Sequence, residues 1–261
     1  MQLGNNISAV VTGGASGLGA ATATALAAKG VKVGLLDLNE QLGRAFAAGI
    51  GGTFAKGDVT SETSVAAALA GLRAANGQER ILVNCAGIAL ARRTVRRVRD
   101  TGAIEPHDIA AFRNVIEVNL IGTFIMMAAS AAGMMALGPV GPDGERGVII
   151  STASVAAEDG QIGQVAYAAS KGGVASMTLP VARDLAQDGI RVVSILPGLF
   201  HTPMFDTLSE DARRSLAASV PFPSRLGRAD EYAALAVQIC ENVMLNGGRI
   251  RLDGALRMAP R

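Results

Sequence analysis

Tryptophan is absent from these 261 residues, and aromatic side chains make up only 3% of them. Aliphatic side chains must therefore fill the interior, and the many alanines and glycines suit close-packed helices and backbone that approaches a ligand. Cysteine is scarce as well: Cys85 and Cys240 lie in apolar surroundings without CxxC spacing. That excludes a disulfide framework, suggests no metal site, and fits buried thiols in a reducing compartment. Charge of one sign is lacking too, since a net charge of +2 leaves no electrostatic footprint for a nucleic acid. The segment before Ile7 is polar, with no leader pattern, and no apolar run approaches the ~20 residues of a membrane span. These absences lead to the expectation of a cytoplasmic protein without membrane or nucleic-acid partners.

What is present is apolar, at 49% of the chain, and it alternates. Ile7–Val11 is a β-branched run, Ala20–Lys29 an Ala-rich helix stopping at Gly30, and Val31–Leu36 a second buried strand ending at Asp37. Further strands are expected at Ile81–Asn84, Val148–Ser151, Ile190–Leu196 and Gly248–Leu252. The intervening helices read as Ile109–Met135, Tyr167–Gln187 and Glu231–Glu241. Strands parted by helices, without hairpin signals, imply an α/β fold: one doubly wound Rossmann parallel sheet of about seven strands. With no linker, residues 1–261 form a single domain. Two long connections, about 88–106 and 197–228 (the second with a short helix at Glu210–Ala218), follow the carboxyl ends of strands, where such sheets bind ligands.

The first strand runs into Thr12-Gly13-Gly14-Ala15-Ser16-Gly17-Leu18-Gly19 and then a helix. Backbone free of Cβ atoms at Gly13, Gly17 and Gly19 can approach a pyrophosphate held at a helix N-terminus. Asp37 can accept hydrogen bonds from ribose hydroxyls and repel a 2′-phosphate, with only neutral Ala15 and Ser16 in the turn. That reading selects NAD(H) over NADP(H). The alternative is that Asp37 caps the following helix together with Asn39.

Tyr167 and Lys171 stand four apart in Tyr-Ala-Ala-Ser-Lys and share a helix face. A tyrosine that takes a proton from an alcohol must have its pKa lowered by ~3 units from ~10, worth ~4 kcal/mol. The lysine ammonium, with the positive nicotinamide ring of NAD⁺, supplies charge of the right sign. Ser154, just past a strand, can hydrogen-bond a substrate oxygen, and Asn119 is a polar residue in an apolar helix.

With the glycine turn, Asp58-Val59, Asn84-Cys85-Ala86-Gly87 and Pro197-Gly198-Leu199-Phe200-His201-Thr202, these residues resemble the short-chain dehydrogenase/reductase family over essentially the whole chain. The resemblance implies Tyr167 as general acid/base, Lys171 lowering its pKa and binding the nicotinamide ribose, Ser154 orienting the substrate and Asn119 holding a relay water. It also implies that Asp58 and the Val59 backbone meet the adenine, and that Asn84 to Gly87 line the cofactor. Ser16, Leu18, Pro197, Gly198 and Leu199 join the cofactor set, and Thr202 holds the carboxamide. The usual Asn-Asn-Ala-Gly is Asn-Cys-Ala-Gly here, which removes an asparagine contact at position 85 but keeps the backbone turn.

A closer likeness, in Thr152–Ala157, Gly160–Gln164, Pro221–Gly227 and Arg251–Ala255, is to the type-2 3-hydroxyacyl-CoA dehydrogenases. It implies oxidation of an acyl-CoA substrate with NAD, and a homotetramer. Gln161 and Gln164 are then candidates for a carbonyl oxygen. Leu199, Phe200, Met204, Phe205 and Leu208 are candidates for an apolar cover, or else they pin the loop to the core. Arg92, Arg93, Arg96, Arg97 and Arg99 form either a solvated basic loop or a CoA-phosphate contact. Rival readings are a hydroxysteroid or secondary-alcohol dehydrogenase, a 3-oxoacyl-acyl-carrier-protein reductase, and a non-catalytic NAD-binding scaffold.

Overall fold

The fold is that of a computed structural model describing residues 1–202 and 209–260. In chain order the elements are β1 (Ser8–Thr12), α1 (Gly17–Ala28), β2 (Lys32–Asp37), α2 (Glu40–Gly49), β3 (Thr53–Lys56), α3 (Glu62–Asn76) and β4 (Ile81–Asn84). Then come β5 (Val95–Arg97), β6 (Ile104–Pro106), α4 (Ile109–Ile116), α5 (Gly122–Met135), β7 (Gly147–Thr152), α6 (Val165–Asp184), β8 (Ile190–Pro197), α7 (Glu210–Ala218), α8 (Ala229–Glu241) and β9 (Arg249–Leu252).

Seven strands make one parallel sheet in the order β3-β2-β1-β4-β7-β8-β9. Strand side chains alternate between its faces. Ala9, Val11, Leu35, Val83 and Ile150 pack against α1 and α8 on one side. Val10, Leu36, Leu82, Ile149 and Val192 pack against α3, α5 and the end of α6 on the other. The order turns back between β1 and β4, and Thr12 pairs with Asn84, which pairs with Ser151. The carboxyl ends of β1, β4 and β7 therefore lie level, and a crevice opens at this reversal.

Three departures from the sequence reading stand out. The α2–β3–α3 stretch adds a second β–α repeat, with Asn39 and Ser61 capping the two helices. The Arg-rich connection is partly ordered as an antiparallel hairpin, β5 with β6, in which Arg96 pairs with Glu105. The expected helix Ile109–Met135 is interrupted by a π-helical turn at Glu117–Ile121. By length and composition this stretch is apolar enough to cross a membrane, but Met126, Met127 and Met134 bury it against the sheet.

Candidate active site

One cavity of about 460 Å³ runs along the carboxyl edge of the sheet. One end is lined by Asp37, Asp58 and Val59, the middle by Gly13 and Ser16 to Gly19, and the other end by Ser154, Tyr167 and Lys171. Ala86, Gly87, Pro197, Gly198, Phe200 and Thr202 complete its walls.

The glycines are there for space. Gly13 has φ +61°, and a Cβ on it would sit 2.8 Å from the Ala86 nitrogen. A Cβ on Gly19 would lie 2.3 Å from the Gly13 carbonyl oxygen. The turn therefore folds tightly onto both the loop after β4 and the start of α1. Asp37 stiffens it: its carboxylate accepts from the Ala15 amide at 3.1 Å and from the Asn39 amide at 2.9 Å. Asn39 itself caps α2 by accepting from Leu42 at 3.0 Å, and Asp37 supports that cap through the Asn39 amide as well as holding the turn. Asp58 is fixed by the Thr60 amide and hydroxyl at 2.9 and 2.8 Å.

At the far end, Asn119 sits fully buried in the π turn. Its Oδ1 accepts from the Ile88 amide at 2.8 Å, and its Nδ2 donates to the Ile88 carbonyl at 2.8 Å and to Ser170 Oγ at 3.0 Å. One amide thus ties the loop after β4 to α6. The extra residue of a π turn widens the helix where this side chain leaves it. Gly87 lies between the two: a Cβ there would be 3.1 Å from Asn119 Oδ1 and 3.4 Å from Lys171 Nζ.

Ser154 caps the short turn Val155–Ala157, accepting from the Ala156 amide at 3.1 Å. Its hydroxyl also bonds Tyr167. Lys171, 5% exposed, donates from Nζ to the Thr152 carbonyl at 2.7 Å and lies 6.0 Å from the Tyr167 ring centroid. Burial pulls the lysine down to about 8. Burial also pushes the Tyr167 hydroxyl above its usual value, and the Ser154 bond only partly opposes it. The tyrosine is thus raised in the protein by itself, and the lowering expected from sequence is assigned to the lysine together with the positive nicotinamide ring.

Several expected residues stand apart from the cavity. Asn84 is buried beside it, donating to Ser151 Oγ at 3.2 Å. Leu199 faces a separate small recess with Val220 and Arg225. Gln161 and Gln164 line a second cavity, of about 440 Å³, with Arg93 and Thr94. Their polar atoms are engaged locally: Gln164 Oε1 accepts from the Gln161 amide at 3.0 Å, and Gln161 Nε2 donates to the Ala259 carbonyl at 2.9 Å. Met204, Phe205 and Leu208 lie outside the described residues. Of the arginine cluster, Arg92 pairs with Asp108 and Arg96 with Glu105.

Sequence reasoning overlooked Thr152 and Tyr232. The Tyr232 hydroxyl, from α8, meets Thr152 Oγ1 at 2.7 Å directly behind Lys171. A hydroxyl amid the apolar positions of α8 was the available signal, since a buried tyrosine needs a polar partner.

The fit to a nicotinamide dinucleotide is good. A glycine turn packed too tightly for side chains lies between a carboxylate at one end and Ser154, Tyr167 and Lys171 at the other. Residues 8–213 match the model of the short chain dehydrogenase family. The chain is 51% identical to the 3-hydroxyacyl-CoA dehydrogenase type-2 of Rattus norvegicus, over 97% of this chain and 95% of that one. It is 50% identical to the Drosophila melanogaster protein of that name, over 98% and 99%. The crystal structure of 3-hydroxyacyl-CoA dehydrogenase type-2 from Mycobacterium avium superposes with a TM-score of 0.92 at 42% identity, covering 98% of each chain.

Proposed function

The chain belongs to the short-chain dehydrogenase family, and from that premise we propose that it oxidises a short or branched 3-hydroxyacyl-CoA to the 3-oxoacyl-CoA with NAD⁺. The observation that carries this reading is the single cavity with a nucleotide end at Asp37 and an acid–base end at Tyr167. When bound, the dinucleotide supplies a hydride acceptor and a positive charge.

The protein's own residues do the rest. Ser154, fixed by its turn, holds the substrate oxygen and presents it to Tyr167. The Tyr167 oxygen takes the hydroxyl proton, and the Lys171 ammonium, held by the Thr152 carbonyl, stabilises the phenolate that this requires. Asp37, with neutral Ala15 and Ser16 beside it, favours ribose hydroxyls over a 2′-phosphate. Identity of 50–51% along nearly the whole chain supports the acyl-CoA substrate. Exposed apolar side chains on the α4–α5 and α6 helices, among them Ile109, Phe124 and Leu179, support a homotetramer.

The test is product analysis. Incubation with NAD⁺ and 3-hydroxybutyryl-CoA should give 3-oxobutyryl-CoA and NADH in equal amounts, and Tyr167→Phe should abolish both while still binding NADH. Absence of the 3-oxo product refutes the substrate. A fully active Tyr167→Phe refutes the acid–base assignment.

A further inference from the structure

Lys171 is the one buried lysine of the four in the chain, the others being Lys29, Lys32 and Lys56. Its ammonium rests on the carbonyl of Thr152, the last residue of β7. The Thr152 side chain sits in a closed set of polar contacts. The Tyr232 hydroxyl lies 2.7 Å from Thr152 Oγ1, which donates to Cys85 Sγ at 3.4 Å. Cys85 Sγ in turn lies 3.9 Å from the Tyr232 hydroxyl. Three groups thus satisfy one another where β4, β7 and α8 meet.

The hydroxyl of Tyr232 contributes nothing to packing that a phenylalanine would not. Its ring is fully buried in the apolar cluster on the α1–α8 face of the sheet. A hydroxyl buried there is unfavourable unless it is bonded, and its partner is the residue whose carbonyl holds the lysine. Cys85 occupies the position where the family motif has asparagine, so the shape of this contact set is particular to the thiol.

We propose that buried Tyr232, with half-buried Thr152 and Cys85 at the wall of the cavity, forms a positioning network that fixes the Thr152 carbonyl and through it the Lys171 ammonium behind Tyr167. This rests on the acid–base assignment of Tyr167 and Lys171 given above. The titratable groups facing the ammonium are Tyr167 from its own helix, Cys85 from the end of β4 and, behind Thr152, Tyr232 from α8. Released from its carbonyl, the ammonium drifts from the tyrosine and stabilises its phenolate less well.

Two measurements test the network. In oxidation of 3-hydroxybutyryl-CoA by NAD⁺, Tyr232→Phe should move the rising limb of the kcat–pH profile up by roughly half to one unit. That corresponds to a roughly three- to tenfold lower kcat at pH 7 that recovers at alkaline pH, with KM little changed. Thr152→Val should do the same, and Thr152→Ser, which keeps the hydroxyl, should return the profile toward wild type. The second readout needs no substrate: NMR of protein labelled with [¹³C]lysine gives four side-chain signals, with Lys171 assigned by Lys171→Arg. Its titration midpoint, about 8 in the wild type, should fall by roughly half a unit or more in Tyr232→Phe and Thr152→Val, because the charged form loses its carbonyl. Superimposable pH profiles and an unmoved Lys171 signal in both variants would overturn the network while Tyr167→Phe remained inactive. An active Tyr167→Phe would instead remove the acid–base reading, and the lysine titration would still decide whether the network holds Lys171.

Discussion

Asp37 holds its carboxylate against the amides of Ala15 and Asn39, so it shapes the glycine turn as well as facing the nucleotide end of the cavity. Losing a charged acceptor of this kind costs about 1.5–3 kcal/mol. Asp37→Ser should therefore lower kcat/KM for NAD⁺ by roughly ten- to a hundredfold and leave that for NADP⁺ unchanged or improved, as steady-state kinetics with both cofactors will show. Lys171 makes a different prediction, on stability. Its folded pKa of about 8 lies below the ordinary 10.5. Between those values the unfolded chain holds a proton that the folded one does not, so this group adds stability as pH rises through the window. The buried thiols and tyrosines are shifted upward and act oppositely, but they remain in a Lys171→Met variant. Between pH 7.5 and 10 the free energy of urea unfolding of the wild type should rise relative to Lys171→Met by about 2 kcal/mol; a constant difference would mean that Lys171 does not titrate in this range. At this scale Tyr167 and Lys171 were legible from their four-residue spacing on a helix, and Ser154 and Asp37 from their places at the ends of strands. Tyr232 was not, because its partner is 80 residues away.

The elements show why a turn of glycines needs more than flexibility. Gly19 opens α1 within reach of the Gly13 carbonyl, and Gly19→Ala drives a methyl to 2.3 Å from that oxygen. The turn must open, at about 1–3 kcal/mol, and NADH affinity in a fluorescence titration should fall by roughly tenfold or more. An alanine variant with wild-type affinity would show that the close approach is not needed. The π turn is the second case. Asn119 satisfies both backbone groups of Ile88, so Asn119→Ala leaves two part-buried polar groups without their partner and should cost about 1–3 kcal/mol in urea unfolding. The long helix was legible from its apolar periodicity, and its interruption was not, because nothing in Glu117–Ile121 disfavours ordinary helix. The β5–β6 hairpin was missed for a related reason: its residues are mostly exposed and arginine-rich, with no apolar alternation to announce a strand. The α2–β3–α3 stretch escaped because β3 is a four-residue edge strand that is nowhere fully buried.

The whole molecule gathers one function at one edge. The central strands of the parallel sheet end level, and the reversal between β1 and β4 places the glycine turn beside the loop carrying Gly87. Fold class was readable in the alternation of apolar runs, because a parallel sheet covered on both faces leaves few other patterns. The proposed homotetramer belongs to the same scale, and Phe124 on α5 and Leu179 on α6 are exposed apolar side chains that it would cover. Sedimentation velocity should give a particle of about four times 26.5 kDa, and a 26.5 kDa species at micromolar concentration would contradict the tetramer. Oxidation of a 3-hydroxyacyl-CoA with NAD⁺ is tested by the rate of NAD⁺ reduction with 3-hydroxybutyryl-CoA beside a hydroxysteroid, with NADP⁺ as the cofactor control. A clear preference in kcat/KM for the CoA ester and for NAD⁺ is expected. Turnover of the steroid alone, or a preference for NADP⁺, would contradict it.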